Sequence, residues 1–164
     1  MDGKPNTPQD KWNYLAKNNT ARVALKIILI VAVIWLLYHG ISSLFNSSLR
    51  LILPNGHITA EVADTQKLRL SGLSGWDSLP DSEGMLFVFD SASTTNCFWM
   101  KDMKFAIDMV WLDADKHVVR QEPNVAPETY PSTFCPDSPA KYGLELGSGR
   151  AQDLKITPGA KLRW

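Results

Sequence analysis

Residues 106–120, AIDMVWL-DADK-HVVR, are two apolar runs separated by a turn of small and acidic residues. A four-residue turn between short runs rich in Val, Ile, Met and Trp reads as a β-hairpin, with Met109–Leu112 facing His117–Arg120. The same grammar continues on both sides of it. Upstream, Ile58–Ala63 alternates, with Ile58, Ala60 and Val62 on one face, and Met85–Phe89 is a buried apolar strand. Asn96–Met100 is another strand, and Leu51–Leu53 can form a first one. Downstream come Tyr142–Leu146 and a last strand, Ala160–Arg163, after the turn Thr157-Pro158-Gly159. Two short helices interrupt this pattern. Asp64-Thr65 caps one over Gln66–Ser71, which Gly72 stops, and Gly147-Ser148-Gly149 leads into the other over Arg150–Lys155. Many short strands at this spacing predict a mainly β domain, a small barrel or sandwich.

A different physics governs Val23–Phe45. Between Ile27 and Tyr38 there is no charged or strongly polar side chain. At about 1.5 Å rise per residue the segment crosses the roughly 30 Å hydrocarbon layer of a bilayer with some tilt. Lys4, Lys11, Lys17, Arg22 and Lys26 lie before or at its start, and only Arg50 follows closely. That bias predicts a single-pass anchor with a cytoplasmic N-terminus and an extracytoplasmic C-terminal part. Trp35 and Tyr38 suit the outer interface, and Lys26 can snorkel at the inner one. The competing readings are a cleaved signal peptide and a buried soluble helix. The stretch before the apolar run is long for a signal peptide, and His39-Gly40-Ile41-Ser42-Ser43 is a poor cleavage context.

The expected organisation is therefore a tail over 1–22, an anchor over 23–45, a tether over 46–57 and an exported domain over 58–164. Charge divides the same way. The first 45 residues carry five basic and two acidic side chains, net +3; the remainder carries 17 − 5 = 12 basic and 17 − 2 = 15 acidic, net −3. A mildly acidic domain has no electrostatic footprint for nucleic acid. The expected partners are the membrane, through 23–45, and a small ligand or a protein of the cell envelope.

An ordered series of short blocks carries a family resemblance. It runs through Val62-Ala63-Asp64-Thr65, Gly72-Leu73, Leu79-Pro80 and Gly84-Met85-Leu86-Phe87-Val88-Phe89. It continues with Phe98-Trp99-Met100-Lys101, Ile107-Asp108-Met109-Val110 and Leu112-Asp113-Ala114-Asp115, and closes with Leu144–Gly149 and Gly159. In this order the chain resembles the bacterial and archaeal family known as domain of unknown function 192, over about Ile58–Leu162. The resemblance implies a compact, mainly β domain, a small closed or partly open β-barrel with one or two short helices, often exported or membrane-tethered. It supplies no established activity and implies no cofactor.

Three groups of residues are candidates for chemistry. Cys97 and Cys135 are the only cysteines. In an oxidising compartment they favour a disulfide, which the resemblance also implies because the family often places Cys near both positions; unpaired thiols and a redox or metal role are the alternatives. No C-x-x-C spacing occurs, and His39, His57 and His117 are scattered, so no metal site is expected. The second group lies in Cys97–Trp111, CFWMKDMKFAIDMVW. Its aromatics and methionines either fill the core or line a pocket; the expected binding residues are Trp99, Met100, Lys101, Met103, Asp108 and Trp111. A copper(I) site on Met100, Met103 and Met109 is a weaker possibility.

The third group is carboxylates in apolar surroundings, Asp108 and Glu145, with Glu83 weaker. Asp108 is expected either to face solvent, to pair with Lys101, Lys104 or Arg150, or to work with Glu145 as a general acid–base pair. No G-x-S-x-G or other nucleophile context is present. Two function classes follow. One is a membrane-tethered binding module of the envelope; the other is an envelope hydrolase or transferase using Asp108 and Glu145. They differ in one geometric respect, whether the two carboxyl groups converge on a shared cleft.

Overall fold

The structure, a computed structural model, describes residues 7–9, 12, 23–36 and 47–164. Lys4, Lys11, Lys17, Arg22, Tyr38 and the rest of 37–45, on which the anchor and its orientation were argued, lie outside the described residues. Residues 23–36 form helix α1, whose apolar side chains, Ile27 to Ile30 among them, are more than half exposed. No helix of the described residues is long and apolar enough to cross a membrane.

Residues 46–164 form a separate compact unit. Its strands are β1 (Ser48–Leu53), β2 (Gly56–Ala63), β3 (Glu83–Ser93), β4 (Phe98–Trp99), β5 (Ile107–Leu112), β6 (Val118–Val125), β7 (Thr133–Phe134) and β8 (Ala140–Gly147). Six of them make one sheet in the order β1-β2-β3-β8-β5-β6, while β4 and β7 pair separately. The pairing of β2 with β3 is parallel and all the others are antiparallel. A parallel pair needs a crossover, and residues 64–82 provide it, including helix α2 (Gln66–Ser71). α2 starts where the Thr65 side chain accepts from Leu68 N–H and stops at Gly72, at φ 49°. The third helical piece is α3 (Arg150–Asp153), and a 3-10 turn spans Pro127–Thr129.

The β5–β6 hairpin has a local cause. Asp113 Oδ1 accepts from the N–H groups of Asp115 and His117, both at 2.9 Å, which fixes the turn. β1 begins inside the stretch expected as a tether, because Leu51 and Leu53 are buried against β2.

The closed form of the expected barrel is corrected. The sheet is open, with β1 and β6 at its edges. The C-terminal segment, expected as a full strand, touches both edges through isolated bridges only. Ile52 and Arg163 exchange two hydrogen bonds, at 2.8 and 3.1 Å, while Val118 donates to Ala160 O at 2.9 Å and accepts from Gly159 N–H at 2.8 Å.

Both faces of the central strands are covered. Every residue of β5 is buried. One face carries Leu51, Ile58, Leu86, Val110, Leu112, Leu144 and Leu146, closed by Ala151 and Leu154 of the α3 region with Ile156 and Leu162. The other carries Met85, Phe87, Ile107, Met109 and Trp111, closed by Leu73, Phe98 and Met100. On that second face Gly143 leaves the space that Phe98 fills: a β-carbon there would lie 2.3 Å from the Phe98 ring. Phe98 also meets Phe87 edge-on, with ring centroids 4.8 Å apart.

Candidate functional site

Side chains alternate across a strand, so register decides what Asp108 and Glu145 can do together. Asp108 lies opposite Leu146, and Glu145 lies opposite Met109. The two carboxylates therefore point to opposite faces of the sheet, each into a different core cluster. They share no cleft, and an acid–base pair between them is ruled out.

Asp108 neither faces solvent nor pairs with a cation. It is 1% exposed. Oδ1 accepts from Asn124 N–H at 2.9 Å and Gly149 N–H at 3.0 Å, and Oδ2 accepts from Ala151 N–H at 2.8 Å. Two of these donors are orphan groups at the start of α3. The third, Asn124, sits beside the β5–β6 register shift, with φ 54°. Of the expected cations, Lys104 bonds Asp77, Arg150 bonds Asp153, and Lys101 lies 5.9 Å from the Trp99 ring. Asp108 thus ties the α3 turn and the β6 bulge to the central strand.

Glu145 has no such partners. It is 5% exposed, and its Oε2 is buried with no hydrogen-bond partner among the described residues. Across the ladder it is flanked by Met85 on β3 and Met109 on β5. Burial pushes its carboxyl up from 4.5 to about 8, so it is protonated and uncharged at neutral pH.

This neutral acid lines a cavity of about 310 Å³. The floor is Phe87 and Glu145 of the sheet; one wall is residues 69–74, the end of α2 and its exit; the opposite wall is Cys97, Phe98, Trp99, Met103 and Thr133. The β4–β7 pair holds the second wall, with Phe98 opposite Phe134 and Trp99 opposite Thr133. Cys97 and Cys135 form a disulfide beside that pair, as anticipated from the two cysteines. Trp99 is 44% exposed at the wall and contacts Tyr130 edge-on, with centroids 6.3 Å apart.

Of the expected binding residues, Trp99 and Met103 line this cavity. Met100 and Trp111 are buried core instead, at 1% and 0% exposure: Trp111 lies on the covered face of the sheet, and Met100, just after β4, packs in the same cluster as part of its cover. The Trp111 indole donates to Asn96 O at 2.8 Å. Lys101 and Asp108 lie outside the lining. The expectation missed Arg69, Gly72 and Phe87. Arg69 is held by Asp64 O at 2.6 Å, Val88 O at 2.8 Å and Asp90 Oδ2 at 2.8 Å. The helix-stop glycine was the signal available. Gly72 places the chain so close to the floor that a β-carbon would lie 3.4 Å from the Phe87 ring and 3.9 Å from Glu145 Oε2.

The arrangement is that of a mainly β domain built around a small, mostly apolar cavity with one uncharged acid. Residues 51–164 match the model of domain of unknown function 192 (DUF192), described as an uncharacterized ACR, and the chain belongs to that family. Two solved structures are similar to it. One is a protein of Sinorhizobium meliloti 1021, named as a candidate transcription regulator, with 26% identity and a TM-score of 0.67 over 72% of this chain and 94% of that one. The other, of unknown function, is from Novosphingobium aromaticivorans DSM 12444, with 27% identity and a TM-score of 0.63 over 71% of this chain and 85% of that one. No curated protein matches the sequence.

The two carboxylates predict opposite responses to amidation. Asp108→Asn turns an amide N–H toward backbone donors and removes the charge they hold. It should cost about 2 kcal/mol of unfolding free energy at pH 7, read from urea midpoints. A midpoint within error of wild type would refute the three-bond clamp.

Glu145→Gln should do the reverse. In the wild type the folded protein retains a proton that the unfolded chain loses, so stability is full below about pH 4.5 and falls as pH rises toward about 8. At pH 7 the loss is on the order of 3 kcal/mol. Glu145→Gln should recover much of it and flatten the profile between pH 5 and 8. An unchanged slope of stability against pH would contradict a buried neutral acid at this position.

Proposed function

We propose that this chain is a membrane-tethered, extracytoplasmic module of the cell envelope that binds a small ligand in the cavity over Glu145. The observation that carries the reading is the cavity itself. Its volume of about 310 Å³ is at the lower end for small-molecule sites, and its walls are aromatic and aliphatic with few polar groups. Fixed backbone elements and a disulfide frame it, so the walls are largely formed before binding. The opposed directions of Asp108 and Glu145 weigh against hydrolysis by that pair and in favour of binding without turnover. The tether rests on the apolar run 23–45, its basic N-terminal flank and the exposed apolar surface of α1. A disulfide between the only two cysteines agrees with an oxidising compartment.

The location is tested by fusing to Trp164 a reporter enzyme that is active only after export. Activity is expected, and activity of a cytoplasm-only reporter at the same point would reverse the orientation. The site is tested by screening small neutral fragments against the full-length chain and following methyl and indole resonances. Shifts are expected at Trp99 and Met103, and Trp99→Ala should weaken binding by about 1 kcal/mol through lost ring contact. Fragments that shift neither residue would remove the cavity as the binding site.

A further inference from the structure

The cavity's polar groups define what it can hold, and the inference here deepens the binding reading by naming the ligand class. Two ionisable side chains are among the lining residues, Arg69 and Glu145. Arg69 is already committed. Its guanidinium donates to two backbone carbonyls and to Asp90, and its side chain is 14% exposed. Three of its five N–H donors are taken and Asp90 already balances its charge, so an anionic ligand would compete with Asp90 and lie beside the Glu145 carboxyl. A cationic ligand would have to ionise Glu145 in a site whose walls are apolar, with Arg69 on the same lining. Neither is favoured over a molecule that carries no charge.

Apart from Arg69, the side chains that line the cavity around Glu145 are uncharged; Glu61 of β2 lies on the same face, opposite Met85 and one strand further out. β3 presents Met85 and Phe87, β5 presents Met109, and the exit of α2 presents Gly72 and Leu73. β4 and β7 present Phe98, Trp99 and Thr133. Glu145 is thus the one lining side chain that combines near-complete burial with an unmet hydrogen-bonding capacity. A carboxylic acid in that state has an O–H to donate.

We propose that the cavity takes an uncharged, largely apolar molecule that presents one hydrogen-bond acceptor, a carbonyl or ether oxygen, to the Glu145 carboxyl. The apolar body sits against Phe87, Phe98, Trp99 and Met103, with the buried Glu145 carboxyl in the same lining. An apolar cavity of about 150 Å³ holds a benzene; this one, at about 310 Å³, has room for an aromatic ring with a short substituent. Ionising the acid removes the donor and leaves a buried charge beside the acceptor, so binding weakens as pH rises past the point where burial holds the carboxyl, about 8.

The proposal rests on the cavity being the binding site, and the test separates the two. The full-length chain is titrated calorimetrically with acetophenone, ethylbenzene and phenethylammonium at pH 6.5 and pH 9. Acetophenone should bind about five- to tenfold more tightly than ethylbenzene at pH 6.5. That advantage should shrink, by up to tenfold per pH unit, above about pH 8. Glu145→Gln, whose amide still donates, should keep the preference and lose its pH dependence, and Glu145→Met should abolish the preference at both pH values. Equal, pH-independent binding of acetophenone and ethylbenzene would overturn the acceptor contact while leaving the cavity reading intact. Binding of phenethylammonium that tightens with pH would overturn the ligand class. If none of the three binds, the cavity reading falls and the proposal with it.

Discussion

The central strands β5 and β8 are buried on both faces, and this constraint sets the terms for every polar group on them. A carboxyl group there is almost cut off from bulk water, so it must find fixed donors or give up its charge. Asp108 meets the first condition, with three backbone N–H groups at 2.8 to 3.0 Å. Glu145 meets the second, and burial keeps its proton on at neutral pH. Two acidic residues on neighbouring strands thus have unrelated roles, divided by the pleat of the sheet.

The same constraint explains how the fold is closed without a continuous barrel. Each face of the sheet needs its own cover. On one side the α3 turn and the C-terminal segment lie over the aliphatic cluster, and the Asp108 clamp fastens α3 to the strand beneath it. On the other side the α2 crossover and the β4–β7 pair lie over the aromatic and methionine cluster. The second cover does not fill the space under it. What remains between the end of α2, the disulfide-braced β4–β7 pair and the sheet is the cavity, with Glu145 in its lining.

A cavity of this kind carries a cost in stability that packing alone would have removed. Placing an acid where it must stay neutral costs more again as pH approaches 8. A core needs neither feature, and their occurrence together in one place is the physical ground for reading this region as a binding site. Where local choices work against stability, function is the usual reason.

Much of the fold was legible in the sequence. The DADK turn at 113–116, the alternation over 58–63, the cap and stop at Thr65 and Gly72, and the apolar runs at 85–89 and 142–146 located elements because turn chemistry and periodicity act within a few residues. The two cysteines pointed to a disulfide, and the ordered blocks identified the family. The parallel pairing of β2 with β3, the open edges and the separate β4–β7 pair were decided by long-range register, which no local pattern encodes. Nor does sequence say that Asp108, alternating with apolar neighbours, meets a second covered face instead of solvent; its donors Gly149 and Ala151 lie 41 and 43 residues away. The aromatic and methionine content of 97–111 was visible, but which of those side chains pack and which line space depends on what covers them. Trp111 and Met100 became core, and Trp99 and Met103 became wall, because the β4–β7 cover turns some of its own side chains onto the sheet and others toward the space left beside the α2 exit.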